Sequence, residues 1–167
     1  MTRASPVPLL LSAWLGAGIL FAAVVAPAAF AALPSRSLAG ALVGRVLPVV
    51  FVAGIVIALL GLVLDRADSG RLFGVRRGAL VVVAVACAAA QFGVAPRIER
   101  VRREIDGPIE QLAPGDARRV TFGRLHAISV AWLGLAMLSA TTALVLISLA
   151  PPGRTAPDAN PVLAPQR

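Results

Sequence analysis

Four long runs without a single charged residue dominate this chain: residues 4–35, 46–64, 78–96 and 125–153. A helix needs about 20 apolar residues to cross a membrane, because each residue advances about 1.5 Å through a hydrocarbon layer about 30 Å thick. Each run reaches that length or nearly so. Lipid offers no hydrogen bonds to backbone N–H and C=O groups, so the runs are expected to be helical. None shows the strict alternation of a membrane β-barrel strand. The expected architecture is all-α: a polytopic integral membrane protein with four transmembrane helices in an antiparallel bundle. The spans should lie at about 8–32, 46–65, 78–96 and 123–149, within one domain covering 1–150. Residues 151–167 are Pro-rich without apolar periodicity and read as a disordered tail. Arg3 and Ala29-Phe30-Ala31 resemble parts of a cleaved signal peptide. A signal core is usually about 7–15 residues, however, so this longer run is read as a retained span.

Composition supports the same class. Hydrophobic residues make up 58% and charged residues 14% of the chain, where soluble domains carry roughly 25% charged residues. Sixteen basic residues, all Arg, outnumber eight acidic ones. The excess flanks spans, where topology and lipid explain it better than nucleic acid does. An Arg-rich, Lys-free bias fits GC-rich coding and places the protein in a bacterial inner membrane. The first and third loops hold nine Arg against seven elsewhere, which weakly assigns those loops to the cytoplasm.

The third loop carries a helical extension. Ile98, Val101, Ile105, Ile109 and Leu112 recur at spacings of 3, 4, 4 and 3, which marks one helical face. Glu99–Arg103, Arg100–Glu104 and Arg102–Asp106 are i,i+4 pairs, each worth about 0.2–0.5 kcal/mol. Gly107-Pro108 should interrupt the helix. The extension is read as a continuation of the third span packing on a neighbour, with a helix lying on anionic lipid as the alternative. Asp116 is a candidate N-cap for the last helix.

Four spans put both termini on one side, so the first and third loops share the other. Toward that face lie Pro27, Phe30, Pro34, Arg36, Arg45, Pro48, Gln91, Pro96, Arg97, Phe122, Arg124, His126 and Ser129. Phe122, His126 and Ser129 share a helix face. Polar residues in a membrane tend to face the bundle interior and mark function. The candidate ligand-binding set is therefore Arg45, Gln91, Arg97, Arg124, His126 and Ser129. The plainer alternatives are depth-setting arginines, a histidine bonded to an interhelical carbonyl, and an amide joining helices. Trp14, Gly16, Gly18, Pro27, Phe30, Pro48, Pro96 and Phe122 are read as structural.

Other chemistry is sparse. The spans hold no carboxylate, Cys87 is alone, and no phosphate-binding loop or nucleophile elbow is present. No catalytic residue, metal site or cofactor is predicted. The reading is a non-enzymatic protein that binds membrane lipids, or a membrane protein partner or second copy, at the Arg/His face. Alternatives are a haem- or metal-linked redox protein completed by a dimer or partner, and an oligomeric small-solute transporter.

Several segments resemble a known family. Trp14-Leu15-Gly16-Ala17-Gly18, Val25-Ala26-Pro27, Phe30, Leu33-Pro34-Ser35-Arg36 and Gly40-Ala41-Leu42-Val43-Gly44-Arg45 are similar to the domain of unknown function 4149, shared with transmembrane protein 205. Pro96-Arg97-Ile98 and Phe122-Gly123-Arg124-Leu125-His126-Ala127-Ile128-Ser129 continue the likeness over roughly 8–150. The resemblance implies the same four-span order and no defined chemistry. Val49, Val50 and Leu133 stand where that family usually has aromatic or Asn residues. The opening helix is also distantly similar to copper-resistance and haem-binding membrane proteins, but it lacks their histidines.

Overall fold

The computed structural model describes residues 6–64, 71–105 and 107–149, without the side chain of Arg71. The predicted tail 151–167, and residues 65–70 of the second loop, lie outside the described residues.

Every regular element among the described residues is helical. Helix α1 runs Val7–Ala32, α2 Arg36–Leu64 and α4 Ala117–Ser148. Helix α3 begins at Arg71 and runs through Ala88, a wide π turn at Ala89–Val94 and a final segment Ala95–Arg103. Each of the four is long and apolar enough to cross a membrane. This is a multi-pass membrane protein, and its side chains are distributed accordingly. Leu9, Val49, Val63, Phe92 and Leu138 all point outward and are exposed. Such helices, apolar all round, need lipid rather than water around them.

Three helices begin or end outside the predicted spans. Helix α2 starts at Arg36 rather than near 46, α3 at Arg71 rather than 78, and α4 at Ala117 rather than 123. Charged residues broke the uncharged runs without breaking the helices, because arginines near a helix end extend their heads to the interface. Two side chains cap helix starts, of which Asp116 is the predicted one. Ser35 Oγ accepts the Leu38 N–H at 3.2 Å and starts α2. Asp116 Oδ1 accepts the Arg118 N–H at 2.8 Å and caps α4.

Helices α1 and α3 share an irregularity. Each contains a π turn, Phe21–Val25 and Ala89–Val94. The Ala26 N–H reaches back to Phe21 O, and the Ala95 N–H to Ala90 O. Pro27 and Pro96 follow immediately. A proline has no N–H and crowds the preceding turn; a turn widened by one residue gives its ring room.

The helices pack in cyclic order, α1 on α2, α2 on α3, α3 on α4 and α4 on α1. The core fills one half of the bundle. It joins Val7, Leu11 and Trp14 of α1, Phe51 and Ala58 of α2, Leu80, Val83 and Cys87 of α3, and Leu133, Ala136 and Ala140 of α4. Glycine permits the closest approaches. A Cβ at Gly54 would lie 2.7 Å from Cys87 Sγ and 2.8 Å from Trp14 Cζ2. Gly18 accommodates the Met137 methyl in the same way, whereas Gly16 faces open space. The Trp14 indole N–H donates to Val50 O at 2.8 Å. Thr141 and Thr142 donate their hydroxyls to carbonyls of their own helix, Met137 O and Leu138 O, both at 2.9 Å.

The third loop continues α3, then turns back. The helix ends at Arg103, and Gly107 adopts φ +114°, a left-handed conformation that suits glycine. A single 3₁₀ turn, Ile109–Gln111, follows. Glu99 and Arg103 pair at 3.5 Å, whereas Arg100 and Glu104 form no ion pair among the described residues. The Arg102–Asp106 pair falls on Asp106, outside the described residues.

Candidate functional site

Opposite the packed core, the helices and the third loop line a half-open cavity of about 850 Å³. Pockets for small ligands span roughly 300–1,000 Å³. The cavity lies at the end where α1 turns into α2 and α3 returns to α4. Helix α1 contributes Phe30. Helix α2 contributes one stripe, Arg36, Ser37, Gly40, Ala41, Val43, Gly44 and Leu47. Helix α3 adds Ile98 and Arg102, the third loop Gly107, Ile109 and Glu110, and α4 the stripe Arg119, Phe122, Gly123, His126 and Ser129.

The charge within it is lopsided: three arginines and one carboxylate. Arg102 has the most distinctive seat. A Cβ at Gly40 would lie 2.8 Å from its Nη2, and one at Gly44 3.2 Å from its Nη1. The guanidinium thus rests across two bare glycines one helical turn apart. Its carbon lies 5.6 Å from the centroid of the Phe122 ring, a cation–π distance. Arg102 has no hydrogen-bond or ion-pair partner among the described residues. By contrast, Arg119 Nη1 donates to Leu112 O at 2.7 Å.

Glu110 is committed to the rim. The Ser37 hydroxyl donates to its Oε2 at 2.6 Å, and the Ser37 N–H to Oε1 at 3.4 Å. The Ile109 N–H in turn donates to Ser37 Oγ at 3.2 Å. The Ser37 hydroxyl, first, and backbone N–H groups hold the Glu110 carboxyl below the usual carboxylate range. These bonds tie the third loop to the start of α2. Nearby, the Arg118 side chain first, and then its N–H, lower Asp116 to about 2.

The sequence-predicted residues divide. Phe30, Phe122, His126 and Ser129 come together in the cavity wall. The His126 and Phe122 rings lie nearly parallel, 6.4 Å apart. Ser129 is buried, and its hydroxyl makes no side-chain hydrogen bond among the described residues. Arg45, Arg97 and Arg124 are exposed and are not part of the wall. Gln91 sits in the π turn of α3; its Oε1 is buried and without a partner among the described residues. Trp14 and Gly18 belong to the packed half, Pro48 lies inside α2, and Pro27 and Pro96 follow the π turns. Sequence reasoning placed Arg36 on this face without including it in the ligand-binding set, and missed Arg102, Arg119, Ser37 and Glu110. The signal for two of them was present: Arg119 extends the Phe122–His126–Ser129 stripe by one step, and Arg102 follows Ile98 by four.

The family model described as "Domain of unknown function (DUF4149)" matches residues 9–106, more than half of the chain. The chain belongs to this DUF4149 family. No curated protein and no solved structure matched it. The DUF4149 match covers α1, α2 and α3, and with them Phe30, the Gly40/Gly44 seat and Arg102. It ends before α4, so Phe122, His126 and Ser129 lie beyond the matched residues. No group of three His, Cys, Asp or Glu side chains suited to a metal occurs among the described residues of this DUF4149 chain.

Proposed function

We propose that this protein acts by binding rather than by catalysis, holding a membrane lipid in the cavity at its loop end, in a bacterial inner membrane. The observation that carries this reading is the cavity itself, built into one end of four lipid-facing helices. Phe30, Val43, Leu47 and Ile98 supply apolar wall for a chain. The polar groups gather at the loops, where a headgroup would sit. Such an arrangement of apolar wall with few polar groups is what ligand sites require.

Gly123 provides the test. It lines the cavity, and a Cβ there would meet nothing within 4 Å. The Cβ of Gly123→Trp therefore meets no neighbour, and its indole would take up part of the cavity. Native mass spectrometry of the purified protein titrated with phosphatidylglycerol should show one retained lipid in the wild type. The variant, with unchanged helical circular dichroism, should lose it. Equal retention by both would refute the reading.

A further inference from the structure

We infer that Arg102 reads the headgroup, and that the cavity selects single-headed anionic amphiphiles: a carboxylate or phosphate on an apolar chain. The inference rests on the lipid-binding reading above and adds the chemical class and the residue that sets it.

The argument starts from the seat of the guanidinium. A methyl group at position 40 or 44 would approach its Nη atoms to 2.8 Å and 3.2 Å, so the guanidinium would have to shift from its present seat. Two glycines spaced by four residues are usually read as a surface for another helix backbone. Here an arginine occupies that surface. Phe122 covers the guanidinium from α4, so three helices fix it in place. An arginine so fixed has already lost the side-chain freedom that binding would otherwise cost.

Among the described residues, its donors are nonetheless unspent. Arg102 carries five N–H groups in a planar fork and bonds none of them to a described residue. Neither glycine offers an acceptor side chain. The one carboxylate in the wall, Glu110, is held by Ser37 and the backbone rather than by Arg102. A fork that is positioned, half-buried and unpaired among the described residues matches a carboxylate or phosphate through two parallel hydrogen bonds. Arg36 and Arg119 reinforce the positive field, and Glu110 disfavours a second anion at the rim. Ile98, one turn before Arg102 on α3, points the accompanying chain into the apolar wall.

The test compares three compounds with one chain and different heads: oleate, 1-oleoyl-lysophosphatidate and the uncharged 1-oleoylglycerol. Binding to the full-length protein in a neutral detergent is measured by native mass spectrometry. The wild type should prefer both anions over 1-oleoylglycerol by about tenfold to a hundredfold, the range for a charge-assisted hydrogen bond. Arg102→Gln should bring the three affinities together, chiefly by weakening the two anions. Gly40→Ala keeps the charge but displaces the guanidinium, and should lower the preference as well. Retention of the full preference in Arg102→Gln would overturn the inference. If that variant binds nothing, Gly40→Ala decides, and an undiminished preference in it overturns the inference. Inorganic phosphate binding as tightly as 1-oleoyl-lysophosphatidate would assign the site to a free anion and also overturn it. Failure of the lipid-binding reading looks different: all three oleoyl compounds would bind Gly123→Trp as they bind the wild type.

Discussion

Gly54→Ala puts a methyl group where α1, α2 and α3 meet. It would lie 2.7 Å from Cys87 Sγ and 2.8 and 3.0 Å from two indole carbons of Trp14. Neither neighbour yields easily. Cys87 is fully buried, and the indole is anchored by its bond to Val50 O. Forcing an extra carbon into a packed core costs about 1–3 kcal/mol. Alanine returns about 0.5–1 kcal/mol in helix propensity. The net expectation is a loss between about 0 and 2.5 kcal/mol, centred near 1 kcal/mol. Gly123→Ala is the matched control, because its methyl group enters open space and should yield the propensity gain alone, up to about 1 kcal/mol. Reversible unfolding in mixed detergent–SDS micelles measures both. Adding Cys87→Ala to Gly54→Ala removes the sulfur overlap but not the indole one, and should recover part of the loss. A Gly54→Ala protein as stable as Gly123→Ala would refute this account of how the core is packed.

Two further outcomes follow from single contacts. Trp14→Phe removes the indole donor to Val50 O and should destabilise the bundle by about 0.5–1.5 kcal/mol, read in the same assay. Asp116 and Glu110 both have carboxyls lowered by hydrogen bonds in the folded state, so each contributes stability above its unfolded pKa. That contribution is lost as pH falls, for Asp116 through about 2. Melting temperature should therefore drop on acidification below about pH 4, where carboxylates of unfolded chains protonate. The drop should be smaller in an Asp116→Asn/Glu110→Gln double variant; an unchanged acid response would contradict the assignment.

The bundle was legible because the bilayer imposes a length on uncharged runs. Charge-free stretches located all four helices, and Asp116 declared the start of the last. The helix ends at Arg36 and Arg71 were hidden, because an arginine that breaks hydropathy need not break a helix. The candidate site was half legible. Phe122, His126 and Ser129 share a helix face that sequence spacing reveals, and the structure lines the cavity with them. The choice among arginines was not legible. Arg45, Arg97 and Arg124 stand beside span ends, yet helical phase turns them outward, while Arg36, Arg102 and Arg119 turn in. Phase can be counted along a regular helix, but the π turn at Ala89–Val94 interrupts the count between the interior of α3 and its charged end.

That same π turn has a genetic consequence. One residue occupies about 100° of helical arc. A π turn is a helix with one residue inserted and absorbed locally as a wider turn, so deleting a single codon within 89–94 would restore a regular ladder and leave Ile98 and Arg102 close to their present phase. Deleting one codon from the regular part of α3, between the core and the π turn, would instead swing everything beyond it by about that angle. Ile98 and Arg102 would then leave the cavity together, and a different residue would meet the Gly40/Gly44 seat. The π turn is thus the one stretch of α3 where a one-residue deletion spares the aim of the guanidinium, and elsewhere in the uncharged stretch such a deletion would be as disruptive to this end of the molecule as loss of Arg102 itself.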